Sequence, residues 1–297
     1  MELENQGRSK ILFIVNPISG GKEKSGIEKI IAKNIDSKKF SYEVQYSNYC
    51  QHATTLAQEA VVKGFNIIVA VGGDGTVNEI SKALIDTNVL FGIVPFGSGN
   101  GLARFLQIPL NTVKAIQNIN NGKPFKMDTI QINDDYFVNM AGAGFDAHIS
   151  HLFASYGKRG LRTYVNLILK EFRQYEIENY QLVLDDKTIN TEAFLVSFAN
   201  SSQFGNNAHI APLASINDGL LDVCILKKFP AWKAPQIVFQ MYTKRLTKSK
   251  YYQLYKTKEL EITLPQNIQM HTDGDPVSYN SIVKLKIIPK SLNIIIP

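Results

Sequence analysis

An apolar run that stops abruptly in glycine belongs at the end of a buried strand, and this chain contains three such runs. Residues 67–76 read IIVAVGGDGT, residues 11–21 ILFIVNPISGG and residues 90–101 LFGIVPFGSGNG. Helical spacing follows the first two kinds of turn, over about 25–34 and 77–84. Between them, 40–46 alternates like a strand and 53–63 (ATTLAQEAVVK) reads as a helix. Strands alternating with helices of this length predict a parallel sheet covered on both faces. Ligands of such sheets bind beyond the carboxyl ends of the strands.

The texture changes near residue 127. Segments 128–133, 136–140, 180–184, 193–199, 220–226, 260–264 and 283–288 read as strands separated by turn-rich connections, with one helical stretch at about 161–175. A mainly antiparallel second domain follows. At 297 residues the chain is long enough for two cores. The expected domains are 8–127, an α/β domain with a parallel sheet, and 128–297, a mainly antiparallel domain, the last strand being able to return to the first.

Two cysteines, Cys50 and Cys224, do not make a disulfide framework and favour a reducing, cytoplasmic compartment. The opening MELENQGRSK has no apolar stretch, so no secretory leader is expected. No apolar run approaches the roughly 18–20 residues of a membrane-spanning helix. A net charge of +6 fits an anionic partner: nucleic acid, a phosphorylated ligand or an anionic lipid surface.

Glycine lets backbone N–H groups approach a ligand closely, and a turn that opens a helix favours phosphate. Three such turns at neighbouring strand ends would converge on one edge. Asp74, set among Gly72, Gly73, Gly75 and Thr76, would repel phosphate unless a divalent cation or a hydroxyl nucleophile stands between them; its plainer role is a turn or capping residue. Walker A spacing is absent, since Asn16 and Glu23 stand where glycine and Ser/Thr belong. Residues 142–147 (GAGFDA) match a dinucleotide pattern, but in the antiparallel half, where a tight turn is the simpler reading. No zinc spacing exists, and a structural role is expected for His148 and His151.

Taken in order, NPISGG, GGDGTVNE, PFGSGN, GAGFDA, PLASINDGLLD and DGDP resemble the diacylglycerol kinase catalytic-domain family, which includes bacterial lipid kinases and sphingosine and ceramide kinases. The resemblance runs from about residue 10 to the C-terminus. It implies an N-terminal domain like those of NAD kinases and phosphofructokinases, a C-terminal β-sandwich, and ATP in the cleft between them. It implies nucleotide contacts from Asn16, Pro17, Ser19, Gly20, Ser47, Gly72, Gly73, Asp74, Gly75, Thr76, Asn78, Glu79, Ser98 and Asn100. A structural Mg²⁺ would be held by Ser215, Asp218 and Leu220, and the catalytic acids would be Asp275, Asp273 and Asp74.

Two stretches depart from the family. Its D-G-E is Asp273-Gly274-Asp275 here, a carboxylate reaching roughly 1–1.5 Å less far, and a displacement of about 1 Å can cost on the order of 100-fold. Its NGxxFGG is altered at 200–206 (NSSQFGN). The implied function is an ATP-dependent lipid kinase acting on a hydroxyl of diacylglycerol or a sphingoid base. NAD kinase and a catalytically weak nucleotide- or lipid-sensing relative stay open. The expected partner is a lipid at a membrane surface, touched peripherally, with no nucleic acid and with a homodimer also open. Basic residues among apolar ones at 156–173, 227–232 and 244–252 suit anionic lipid; for the helix within 161–173, packing on its own domain is the favoured reading.

Overall fold

The computed structural model describes residues 8–19, 26–155, 161–185, 187–265 and 269–297. Gly20, Tyr156, Lys158 and Arg159, singled out above, lie outside them. The chain divides into two compact units: Met1–Gly97, Leu106–Lys126 and Leu292–Pro297 in the first, Ser98–Phe105 and Met127–Ser291 in the second. No helix among the described residues is long and apolar enough to cross a membrane.

In the first unit β1 (Ser9–Val15), β2 (Phe40–Tyr46), β3 (Ile67–Gly72) and β4 (Leu90–Pro95) lie in the order β2-β1-β3-β4, all parallel. Helices α1 (Ile27–Asn34), α2 (His52–Val62) and α3 (Asp74–Leu84) make the crossovers. Every residue of β3 is buried, the mark of a strand covered on both faces. Ile11, Phe13, Val69 and Val94 pack with Ile27 and Ile31 of α1. Beyond the short α4 (Gly101–Phe105), which counts with the second unit, α5 (Thr112–Asn121) adds Ala115, Ile116 and Ile119 to this core. Asn111 caps α5 by accepting a hydrogen bond from Lys114 N at 3.1 Å.

The second unit is antiparallel. After β5 (Lys123–Ile132) and β6 (Asp135–Phe137) come β7 (Met140–Gly144), α6 (Phe145–Ser155), α7 (Leu161–Glu171), β8 (Glu178–Leu184), β9 (Lys187–Ala193), β10 (Leu195–Ala199) and β11 (Leu221–Leu226). Then follow α8 (Ala234–Tyr242), β12 (Tyr252–Thr257), β13 (Glu259–Thr263), β14 (Met270–Thr272), β15 (Asp275–Val277) and β16 (Ile282–Ile296). One sheet runs β12-β11-β10-β7-β14-β15; across the sandwich lie β16, β13, β8 and β9. Val196 and Phe198 of β10 and Val223 and Ile225 of β11 face the sandwich core. Their alternates Leu195, Ala199, Cys224 and Leu226 face a second core, built with Ile149 of α6, Leu167 of α7 and Ile237 of α8. The two-residue side-chain period of a strand thus explains why β11 is buried throughout: both of its faces are covered. The last strand serves each unit with a different segment. Its residues 282–286 pair antiparallel with β13, whereas Ile294 lies parallel beside Phe91 of β4.

The sequence reading found one helix in this half; α6 and α8 are additional. GAGFDA is a strand-to-helix passage, with Gly144 at φ +101° and a would-be Cβ 2.8 Å from Phe194 O. Gly144→Ala should therefore lose roughly 3 kcal/mol or more, since both backbone conformation and space forbid the methyl. Gly64→Ala, at φ +75° in open space, should lose only about 1 kcal/mol. Urea unfolding of the two variants checks the contrast.

Candidate functional site

Because the strands of the first unit are parallel neighbours, their carboxyl ends share one edge. Ser47 follows β2, Asn16 follows β1, Gly72 closes β3 and Pro95 closes β4. Backbone bonds fix these ends in turn: Ser47 N donates to Val15 O (2.9 Å), Asn16 N to Val71 O (3.1 Å) and Phe96 N to Gly72 O (2.7 Å). The first turn is tied to the second by Asn16 Nδ2, which donates to Thr76 Oγ1 at 3.1 Å. Asn16 Oδ1 accepts from Ile18 N (3.1 Å) and Ser19 Oγ donates to Asn16 O (3.2 Å), folding Pro17 into a tight Asx turn. The second turn meets the third where a Cβ on Gly73 would stand 3.1 Å from Gly97 Cα. A Cβ on Gly72 would lie 2.5 Å from Thr76 Cβ. A side chain at Gly72 would collide with Thr76, and one at Gly73 would fit only if Gly97 gave way by a few tenths of an ångström.

Asp74 and Gly75 form the first turn of α3, half-buried, after Gly73 in extended conformation. Gly73 has no side chain with which to cap the helix, so the positive end of the dipole and the first-turn amides suit an anion. These residues fit a nucleotide phosphate. Asn78 is buried and its carbonyl accepts from Ser81 Oγ at 2.9 Å. Glu79 does structural work: its Oε2 accepts from Ala53 N (3.2 Å) in the first turn of α2, and its carbonyl accepts from Thr54 Oγ1 (2.8 Å).

The third turn continues into the second unit. There Ser98 is exposed and Asn100 is buried at φ +50°. Arg104 Nε donates to Gly99 O at 2.9 Å, and a Cβ on Gly205 would lie 3.0 Å from Gly99 Cα. The altered 200–206 stretch is thus packed against this turn. Its Asn200 Nδ2 donates to Asp128 O and Val138 O, both at 2.8 Å.

The three candidate acids separate by environment. Asp273 and Gly274 form the two-residue turn of the β14–β15 hairpin, at φ +51° and +90°, the backbone that Asp-Gly supplies at little cost. The Asp273 carboxylate is buried and accepts from Val138 N (3.0 Å), Asn139 N (2.9 Å) and Met140 N (2.8 Å). That geometry makes it a clamp on the backbone, a role distinct from the proton acceptor expected from sequence. Asp275, two residues on, is exposed at the start of β15. Under the hairpin lies a cluster the sequence reading missed: Asp146 Oδ2 accepts from Ser197 Oγ (3.1 Å) and stands 3.1 Å from His271 Nε2, all three buried. The only sequence trace of it was the Asp within GAGFDA. His148 pairs with Glu171 across α6 and α7 at 3.0 Å, holding the Glu171 carboxyl below its usual range, and His151 Nε2 meets Met270 O at 3.0 Å. Both are structural.

The loop expected to hold Mg²⁺ has another cation close by. Asp218 Oδ2 is 2.9 Å from Lys256 Nζ, Asp218 Oδ1 accepts from Leu220 N at 3.2 Å, and Ser215 Oγ donates to Asn217 Oδ1 at 3.2 Å. Lys256 Nζ also stands 3.4 Å from Oδ2 of Asp222, its cross-strand partner. These residues do not fit a resident divalent ion, because the carboxylate it needs is already neutralised by the ammonium. Among the described residues no three His, Cys, Asp or Glu side chains gather as a metal set. Burial pushes the Asp222 carboxyl up to about 6 against the pull of Lys256.

Two outcomes follow for this loop. Between about pH 4 and pH 6 the folded protein holds the Asp222 proton more tightly than the unfolded chain does, so stability falls as pH rises through that window and levels off above it. Asp222→Asn should remove up to roughly 2 kcal/mol of that fall, checked by urea unfolding of both proteins at several pH values. A chelator should leave the melting temperature unchanged.

The first half of the chain, residues 10–132, matches the diacylglycerol kinase catalytic domain, and residues 139–296 match the YegS C-terminal NAD kinase beta sandwich-like domain. The Chromohalobacter salexigens protein named "Probable lipid kinase YegS-like" is 30% identical over 74% of this chain and 73% of its own length. The diacylglycerol kinase of Bacillus subtilis is 28% identical over 90% and 89%. A crystal structure of a Bacillus anthracis diacylglycerol kinase shares the fold, with a TM-score of 0.73 at 20% identity over 97% of both chains. From glycine turns to sandwich strands, the chain belongs to the family of diacylglycerol kinases and YegS-like lipid kinases.

Proposed function

We propose that this protein transfers the γ-phosphate of ATP to the hydroxyl of a membrane lipid, with diacylglycerol as the first substrate to try. The observation that carries the reading is the meeting of three side-chain-poor turns at one edge of the first unit's sheet, joined through Asn16–Thr76 and Gly73–Gly97. Phosphoryl transfer asks a protein for positioning and charge stabilisation more than for covalent chemistry. Backbone N–H groups of the turns and the start of α3 would hold the phosphates, as helix N-termini do. Mg²⁺ arriving with ATP would supply charge neutralisation at the transferred group. Asp74 would orient groups at the phosphate end. Asp275 would accept the hydroxyl proton, since it is exposed while Asp273 is bound up in backbone bonds.

Incubation with labelled ATP and vesicles containing diacylglycerol, ceramide or sphingosine tests the reading; label in lipid is expected. Label appearing in NAD, or in no acceptor while ATP still raises the melting temperature, would overturn it. The acids should also part company. Asp74→Ala and Asp275→Ala should each lower turnover by about 100-fold or more with little change in melting temperature. Asp273→Ala should unfold more easily, by roughly 3 kcal/mol, because it strands three buried N–H donors.

A further inference from the structure

The outer face of α8 is a surface that the kinase reading leaves unused. Trp232, in the single 3₁₀ turn before the helix, is 73% exposed, and Val238, Phe239 and Tyr242 are 49%, 59% and 52% exposed. Pro235, Val238, Phe239 and Tyr242 share one side of the helix by their three- and four-residue spacing. The opposite side is used by the fold, with Ile237 buried and Met241 packed on the same core. Gln236 and Gln240 are its only polar residues, and a helix so apolar is normally buried on most sides, yet here the side with Pro235, Val238, Phe239 and Tyr242 faces outward. Lys233 Nζ sits 4.4 Å from the centroid of the Trp232 ring, a cation–π contact that leaves the indole at the surface.

The chain segment that carries this helix is one-sided in charge. From residue 223 to 258 there are nine Lys or Arg residues and no Asp or Glu, although acids make up 26 of the 297 residues. Lys233 precedes the helix, and Lys244, Arg245 and Lys248 follow it, the last three exposed. A second copy docking here through a two-fold interface would set this cationic rim against itself. An anionic bilayer offers the complementary charge, together with an apolar depth into which Trp, Phe and Tyr side chains insert. The exposed Val165 and Leu169 of α7 are a weaker case, because Leu167, Ile168 and Phe172 spend that helix on its own core.

We infer that Trp232 and the outer face of α8 are the membrane-docking surface of this protein, inserting into anionic bilayers while the flanking lysines and arginine bind lipid headgroups. The inference goes beyond the kinase reading, and its readout is binding, so the two can fail separately. Trp232 is the only tryptophan in the chain and reports on its own surroundings. Its emission should shift to the blue with vesicles containing about 30% phosphatidylglycerol and hardly at all with pure phosphatidylcholine. Raising the salt to about 0.5 M should weaken binding about tenfold or more. Phe239→Glu should cut co-sedimentation with the anionic vesicles about tenfold while leaving the melting temperature unchanged.

Emission that ignores anionic vesicles would overturn the proposal without any variant being needed. So would Phe239→Glu binding them as the parent does. Light scattering that shows a dimer dissolved by Phe239→Glu would assign the face to a second copy instead.

Discussion

Everything in the first unit depends on a backbone constraint: parallel neighbouring strands must finish together, and their turns must then crowd. Three main-chain hydrogen bonds carry each strand end across to the next, from Ser47 to Val15, from Asn16 to Val71 and from Phe96 to Gly72. Crowding removes side chains. A methyl on Gly73 would press on Gly97, and one on Gly72 would press on Thr76. What lines the edge is main chain rather than side chain, oriented by the start of α3, and such an arrangement suits a phosphate before any side chain is added. The fold and the candidate site are in this sense one event. The same strand order that places β3 at the centre, between β1 and β4 and under the helices, brings the turns together.

The second unit solves a different problem, which is to hold polar groups inside a sandwich. Asp273 does so by accepting three backbone N–H groups from 138–140, a stretch where the chain bends between β6 and β7. Asp146 does so by drawing Ser197 and His271 to one oxygen. Asp222 is held less well. Its carboxyl is buried, neither oxygen has a hydrogen-bond partner, and Lys256 is shared with Asp218. Its upward shift follows from that imbalance. The loop at 215–220 therefore differs from a metal site in kind, because its counter-charge arrives on a side chain of β12.

Much of this was legible in the sequence, and what was not has physical reasons. Apolar runs ending in turns gave β1, β3 and β4 to within a residue or two, because buried parallel strands are continuous in their pattern, while alternation gave the half-buried edge strand β2. The Asp-Gly pair at 273–274 is a hairpin-turn signal that the sequence reading passed over, because that stretch entered it only as a source of catalytic acids. The helices α6 and α8 were hidden because neither shows a clear polar face: in α6 Asp146, His148, Ser150 and His151 are spread around the helix, and in α8 only Gln236 and Gln240 interrupt the apolar residues. Lys256 lies 34 residues beyond Asp222, and only the pairing of β11 with β12 sets them face to face. The division of labour between Asp273 and Asp275 was equally invisible. Both are carboxylates two residues apart, and only burial tells the clamp from the exposed acid.

That clamp also bears on the shorter acid at position 275. In a loosely held loop, a missing methylene could be made up by the backbone sliding forward. Here the hairpin is fixed at both ends: Asp273 N donates to Met140 O at 2.7 Å, the Asp273 carboxylate grips 138–140, and β14 pairs with β7 through Met270, His271 and Thr272. A forward slide would have to break charge-assisted bonds worth roughly 1.5–3 kcal/mol each. The hairpin therefore sets the reach of Asp275, and under the proposed kinase reading the acceptor hydroxyl would have to come to it. On that reading a hydroxyl carried on a flexible lipid would close roughly 1 Å by turning about its own single bonds, so that a displacement costly in a rigid substrate would be absorbed on the substrate's side.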